Sequence, residues 1–354
     1  MILNFINRKS ILFAPILYPA SILYLLITKI RNILYDRKIL QSYKSTLDVL
    51  CVGNLTVGGN GKTPVVAALH KHYSELGRKV VIVSRGYKSS GKTGLIPEIT
   101  DANLDTLIYS FGDEPVLHKY INNAAVYVDS DRVRAIKNLE KLNNFDLVIL
   151  DDGFQHRRLT PSTSIILQDI STDRLLNEWN INNLLPYGDF RECIKDSLNR
   201  ISKLVFVYRS ALKVNLEEDR KNIAVKALGE SKIGARFLNI YSDSFINLNN
   251  LQEVDKPTAA IAITAIAKPK IFFSNLQDLG IKLIDQIEYQ DHHNFTVEDI
   301  LKIDFENYPL ITTFKDAIKL IKFVTNKDLL NSYPKLRSLR VIILKQRLDI
   351  SEIV

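Results

Sequence analysis

The sequence predicts an α/β fold of the P-loop NTPase-like kind: a parallel sheet with helices on both faces, then a second, smaller α/β domain joined through a β-ribbon linker. Three observations carry this expectation. Short apolar runs alternate with helical segments along most of the chain, the pattern of parallel strands joined by crossover helices. The stretch Thr46 to Thr63, TLDVLCVGNLTVGGNGKT, reads as a buried strand running into a glycine-rich loop that ends in Gly61-Lys62-Thr63. About 90 residues later, the apolar run Phe145 to Leu150 ends in Asp151-Asp152.

The loop comes first because it states the chemistry. Strand, glycines, Lys-Thr and an apolar helix opening after Pro64 are the context of a phosphate-binding loop. Glycines let consecutive backbone N–H groups turn inward as an anion nest at a helix N-terminus. Thr56, Val57, Gly58, Gly59, Asn60, Gly61, Lys62 and Thr63 form the expected nucleotide cradle, with Lys62 on the β- and γ-phosphates and the Thr63 hydroxyl on Mg²⁺. In the strict pattern glycine stands five residues before Gly61, where this chain has Thr56. The twin aspartates after an apolar strand have the form of the carboxylate that holds Mg²⁺ beside such a loop. ATP is expected rather than GTP. Asn326-Lys327-Asp328 places its aspartate one residue early for a guanine-reading motif.

At 354 residues the chain exceeds one ordinary core, and the pattern divides into 1–40, a kinase-type domain 41–225, and a linker plus smaller α/β domain 226–354. The net charge of +8 points to anionic partners: nucleic acid, a phosphorylated substrate or an acidic membrane face. Two cysteines, Cys51 and Cys193, make no disulfide framework and suit a reducing compartment. No CxxC or HExxH spacing indicates zinc.

Ser10 to Thr28 is 19 residues without a charge, flanked by Arg8-Lys9 and by Lys29 and Arg31. No small-x-small cleavage site follows it, which disfavours a signal peptide. A membrane span and a core helix are alternatives, but Pro15, Pro19 and basic residues on both sides favour an interfacial amphipathic helix beginning at Pro19. Leu23, Leu26, Ile27, Ile30, Ile33 and Leu34 would form its apolar stripe, with Lys29, Arg31, Arg37 and Lys38 facing acidic headgroups.

Beyond the loop, strands are expected over Lys79 to Ser84, Ala124 to Val128, Ser164 to Asp169 and Leu204 to Tyr208, with a helix over Asp131 to Leu142. An irregular stretch surrounds Trp179 and Leu185-Pro186-Tyr187-Gly188. From Asn222 to Leu248 the helical pattern gives way to a β-ribbon. Then come a strand Thr258 to Ile263, a helix Lys268 to Leu279, a strand Ile281 to Glu288, a helix Val297 to Ile303, and strands Pro309 to Thr313 and Arg340 to Lys345. Lys315-Asp316 opens a helix between the last two. His70, His72 and His118 fall on helices and read as surface residues.

Phosphoryl transfer asks for placement, charge neutralisation and a base near the acceptor hydroxyl. Two clusters could supply that base. Gly112-Asp113-Glu114-Pro115 places two carboxylates in an apparent strand-end loop, and Asp291-His292-His293 pairs a carboxylate with imidazoles. A carboxylate bonded to a histidine is a natural proton acceptor. His156, in Gly153-Phe154-Gln155-His156-Arg157-Arg158, lies close in sequence to the twin aspartates.

Taken together, GNLTVGGNGKTP (53–64), SRGY (84–87), GDEP (112–115), DDGFQHRRL (151–159), FRE (190–192), DHHNF (291–295) and TTFKDAIKL (312–320) resemble the tetraacyldisaccharide 4'-kinases of lipid A biosynthesis, in family order. That family carries threonine at the position of Thr56. The resemblance implies transfer of the ATP γ-phosphate to the 4'-hydroxyl of a tetraacyldisaccharide 1-phosphate, giving lipid IV-A. By motif it implies Lys62 and Thr63 on phosphate and Mg²⁺, and Asp151, Asp152 and Glu192 around the metal. It implies Asp113 as the base assisted by His292 in preference to His293, and Arg132 and Arg191 on phosphate groups. Glu114, His156 and His293 complete the expected substrate-facing set. A monomer at the cytoplasmic face of the inner membrane, binding the lipid A precursor and no nucleic acid, is the expected setting. A nucleotide switch and a degraded P-loop scaffold are the competing classes, and a switch has no use for an acceptor base.

Overall fold

The computed structural model describes residues 13–57, 61–87, 89–100, 102–171, 184–212, 218, 221–222, 224–225, 234–266 and 268–354. The expected strands are present, and they join one 13-stranded sheet. Its order runs Lys282–Glu288, Ala259–Thr264, Leu310–Thr313, Val341–Leu348, Ala235–Asn247, Lys203–Ser210, Thr163–Asp169, Asp48–Asn54, Leu147–Asp151, Val80–Ser84, Ala125–Val128, Gly94–Leu95. Glu253–Val254 lies off that path beside Ala235–Asn247. Most pairings are parallel, and Ala235–Asn247 bonds parallel to Lys203–Ser210 and antiparallel to Val341–Leu348. Within the range 222–248, where a ribbon is expected, the described residues form the long strand Ala235–Asn247, which carries the N-terminal strands into the C-terminal ones.

The strand Asp48–Asn54 lies between Leu147–Asp151 and Thr163–Asp169. Its alternate residues bury on opposite faces, as the pleat requires. Leu50 and Val52 join Val65, Val66 and Leu69 of the helix Lys62–Glu75. Val49 and Cys51 join Ile136 and Leu139 of the helix Arg132–Leu142. Burial pushes the Cys51 thiol up to about 12, so it is packing and not a nucleophile. In such sheets ligands bind beyond the carboxyl ends of the strands, and the glycine loop and Asp151 both leave their strands at that edge.

Three local expectations change. The N-terminal helix runs Ala14–Asp36 and does not begin at Pro19. Pro15 takes the first-turn position, where a missing N–H costs nothing, and Pro19 sits inside. The GDEP segment is not a strand-end loop: Gly112 separates the helix Leu104–Phe111 from the helix Asp113–Ile121, so both carboxylates stand in a first helical turn. Gly112 has φ +95°, and a Cβ there would come within 3.0 Å of the Tyr87 carbonyl oxygen, so only glycine fits. Among the helical histidines, His70 and His118 are buried rather than on the surface.

His118 carries a measurable consequence. Burial, and then the nearby His70, push its imidazole from the ordinary 6.5 down to about 4. The unfolded chain binds this proton more tightly, so the histidine's contribution is complete above 6.5 and is lost as pH falls towards 4. The loss is expected to approach about 3 kcal/mol at the acid end. Urea unfolding of the wild type should weaken over that window more than that of His118→Gln, which cannot take up the proton. Parallel acid dependence in the two proteins would contradict the assignment.

Candidate active site

The site is built at the carboxyl edge from four chain segments. Gly61 adopts a left-handed conformation (φ +79°) as N-cap of the helix Lys62–Glu75, which turns the chain from loop to helix and sets Lys62 and Thr63 in the first turn. Thr56 is buried and bridges to Phe190, while Val57 N–H donates to the Asp189 carbonyl at 2.8 Å. The loop base is thus tied to the segment that carries Arg191 and Glu192. Gly58, Gly59 and Asn60 lie outside the described residues.

Asp152 is the junction of the phosphate side. Its backbone is left-handed (φ 53°), a conformation that costs about 1 kcal/mol or more for a residue with a side chain and persists where the surroundings hold it. Its carboxylate lies 3.7 Å from Lys62 Nζ and accepts from Arg191 Nη1 at 2.9 and 3.0 Å. Burial would raise the Asp152 carboxyl, but Lys62 and Arg191 outweigh it and leave it lowered. Asp151, buried at the strand end, goes the other way. Burial first, and then the charge of Glu114, push it up to about 7 against the pull of Lys62.

The acceptor side is an acid–imidazole pair spanning 179 positions of sequence. His292 Nδ1 lies 2.9 Å from Asp113 Oδ2. Asp113 Oδ1 accepts from the Glu114 N–H at 2.9 Å. His292 also has a left-handed backbone (φ 66°), with its N–H bonded to the Ala265 carbonyl. Two lysines of the helix Phe314–Leu320 complete the cluster. Lys315 Nζ is 3.1 Å from His292 Nε2, and the buried Lys319 Nζ is 3.8 Å from Asp113 Oδ2. Asp113 faces the Nδ1 side of the His292 ring and Lys315 the Nε2 side. Burial would raise the Asp113 carboxyl; the His292 hydrogen bond, and then the charges of His292, Lys315 and Lys319, hold it at about 2.

Asp316 anchors this arrangement. Fully buried, it accepts from Thr264 Oγ1, the Ala265 N–H, Thr313 Oγ1 and Lys319 Nζ, so the ends of two strands and one helix are pinned to one carboxylate. Glu114 is a carboxylate that acts electrostatically on both sides of the site. It lies 3.9 Å from Lys315 on the acceptor side, and its charge reaches Asp151 on the phosphate side.

The remaining candidates distribute unevenly. Arg132 is buried against the Asp129 and Asp151 carbonyls at 2.7 and 3.4 Å. Burial lowers its guanidinium despite the pull of Asp151 and Asp152. His156 is half-buried near Arg132, and burial lowers it. Glu192 is buried, paired with Arg200, and accepts from Asn32 and Gln155 at 3.3 Å. His293 is bonded to Asp299 at 2.8 Å and stacked on Tyr289, while His292 alone of the two touches Asp113. Lys315 and Lys319 had no role in the sequence reading, although TTFKDAIKL contains both. Their spacing of four puts both on one helix face, and that spacing is the signal the segment offers.

The donor set suits a hard divalent cation. Asp151 and Asp152 are adjacent carboxylates, and Lys62, the neighbour of Thr63 in the first turn of the loop helix, lies 3.7 Å from Asp152. The raised Asp151 shows a buried carboxylate short of positive charge, which a cation would relieve. Among the described residues no group of three His, Cys, Asp or Glu side chains could hold a metal ion, and a phosphate-bridged Mg²⁺ typically needs only one or two protein carboxylates.

Comparison with known proteins gives the family. The family model described as tetraacyldisaccharide-1-P 4'-kinase matches residues 13–351. The tetraacyldisaccharide 4'-kinase of Wigglesworthia glossinidia brevipalpis is 34% identical over 322 residues, covering 90% of this chain and 80% of that protein. The one from Haemophilus influenzae is 33% identical, covering 88% and 85%. Among solved structures, LpxK from Aquifex aeolicus in complex with ATP has 28% identity and a TM-score of 0.69, covering 97% of this chain and 94% of that one. A match over nearly the whole length, in sequence and in fold, settles the relationship: the chain belongs to the tetraacyldisaccharide 4'-kinase family.

Proposed function

We propose that this chain is the ATP-dependent kinase that phosphorylates the 4'-hydroxyl of a tetraacyldisaccharide 1-phosphate in lipid A biosynthesis. The observation that carries the reading is the Asp113–His292 pair, a proton acceptor built from distant segments. A nucleotide switch needs no such pair.

The acceptor hydroxyl approaches the Asp113–His292 pair while Lys62 and the loop amides hold the triphosphate of ATP. The hydroxyl oxygen forms its bond to the γ-phosphorus as the bond from that phosphorus to the β,γ-bridging oxygen breaks, and ADP leaves. Asp113, already ionised and fixed by His292 and Lys319, accepts the hydroxyl proton. A loose transition state asks for a placed acceptor more than a strong base. Lys62 and Arg191 neutralise charge spreading over the transferred group. A Mg²⁺ held by Thr63, Asp151 and Asp152 would supply further charge neutralisation at the phosphates. Arg132, with His156 beside it, offers a cationic surface for phosphate, and the 41–225 portion then supplies the nucleotide while the 226–354 portion supplies His292 and both lysines.

The N-terminal helix supports a membrane-surface setting at the cytoplasmic face of the bacterial inner membrane. Its exposed side is apolar, with Ile16, Leu23, Leu26, Ile27, Ile30 and Ile33 in solvent, and its buried side is polar, with Ser21, Thr28 and Asn32. This inverts the polarity of a core-packing helix, and an acylated substrate resides in such a surface. Incubation with γ-labelled ATP and a tetraacyldisaccharide 1-phosphate in mixed micelles tests the reading. A doubly phosphorylated glycolipid is the expected product, and ATP turnover without one would overturn it.

A further inference from the structure

The polar face of the N-terminal helix is bonded to the segment that holds the phosphate-side carboxylate. Ser21 Oγ donates to the Leu184 carbonyl at 3.0 Å and accepts from the Tyr187 N–H at 2.9 Å. Tyr24 OH donates to the Arg191 carbonyl at 2.8 Å. Asn32 Nδ2 donates to Glu192 at 3.3 Å, and Asp36 pairs with Arg157 at 2.7 Å. These contacts reach the site in one further step. Arg191 Nη1 donates to both Asp152 oxygens and to Gln155 Oε1 at 3.2 Å, and its N–H donates to the Leu55 carbonyl at 2.7 Å. Leu55 precedes Thr56 of the nucleotide loop. The helix therefore has two faces with different partners: an apolar one in solvent, and a polar one bonded to the segment whose Arg191 holds Asp152 and the residue before Thr56.

We infer that Tyr24 is a positioning residue that couples seating of the N-terminal helix on a lipid surface to the placement of Arg191, and through Arg191 to Asp152 and the nucleotide loop.

The physical reason is the helix's own balance. Its attachment consists largely of side-chain hydrogen bonds at the rim of the body, each a modest net contribution, while its opposite face leaves large apolar side chains in water. A lipid surface covers that face at no expense to the polar bonds, so the bound helix spends more of its time docked. Coupling of this kind is reciprocal: what the surface does for the site, the occupied site does for the surface. The partner is an acyl-chain surface with acidic headgroups, because Lys29 lies among the apolar residues and Arg37 and Lys38 follow the helix C-terminus. The inference deepens the proposed function, since it makes the lipid that carries the acceptor also an activator of the nucleotide site.

The test reads nucleotide binding, so it does not depend on the acceptor's identity. Affinity of the full chain for a fluorescent ATP analogue with Mg²⁺ is measured with and without vesicles of phosphatidylethanolamine and phosphatidylglycerol, for the wild type and Tyr24→Phe, with vesicle sedimentation in parallel. Vesicles should tighten wild-type binding about 3- to 10-fold, the scale of one hydrogen bond. Tyr24→Phe should still sediment with vesicles but lose the tightening. A wild type indifferent to vesicles, a Tyr24→Phe that responds like the wild type, or a Tyr24→Phe that no longer sediments would each overturn the coupling. Failure to phosphorylate the glycolipid would instead count against the proposed function and leave this readout standing.

Discussion

Lys62→Ala is expected to lower kcat about 10²- to 10³-fold or more, with nucleotide affinity weakened to a lesser degree. The ammonium stands in the first turn of the loop helix, 3.7 Å from Asp152, where it can follow negative charge as it shifts towards the leaving oxygen. Its removal also takes away a charge that holds the Asp152 carboxyl down and opposes the rise of Asp151. Two adjacent carboxylates would then face the triphosphate with Arg191 as the nearest remaining hydrogen-bonded cation. Lys62→Arg is a poor rescue, because a planar guanidinium does not substitute for a compact ammonium as a point charge on phosphate. Steady-state kinetics with saturating lipid acceptor would check this, and near-normal turnover by Lys62→Ala would remove the loop from the mechanism.

The loop was legible in the sequence because its chemistry is local: glycines, Lys62, Thr63 and the helix they open lie within a few positions of one another, and steric rules read them directly. The strand ending in Asp151-Asp152 was legible for the same reason. The pairing of Asp113 with His292 followed from the family resemblance, since 179 positions separate the two and no local pattern joins them. The first-turn setting of Asp113 is not legible in the sequence, because Gly112 is the corner between two short helices and propensity alone does not distinguish such a corner from a loop. The burial of His118 is not legible either, because a polar residue on a helix is usually exposed, whereas here the fold covers that face of the helix. The inverted polarity of Ala14–Asp36 was half legible: the apolar stripe is in the sequence, but the polar face acquires meaning only from partners at 184–192.

Asp113→Ala is expected to separate chemistry from nucleotide binding. The side chain touches His292, the Glu114 N–H and Lys319, and none of these is a phosphate-side contact of Lys62 or Asp152. Loss of a positioned proton acceptor costs about 10²- to 10⁴-fold in rate, so kcat should fall by that order while ATP affinity stays near the wild type. The pH profile supplies a second check. A carboxyl held at about 2 is ionised throughout the range from about pH 5 to 9, because the proton leaves only as pH rises through the folded value. Wild-type turnover should therefore show no acid limb owed to Asp113 in that range. Lys319→Met would remove one of the charges that keep the carboxyl low and should shift its titration upward, towards the working range. Should Asp113→Ala abolish ATP binding while leaving the maximal rate intact, Asp113 would be a nucleotide ligand, and the base would have to be His292 acting alone through Nε2, the atom that Lys315 covers in this structure.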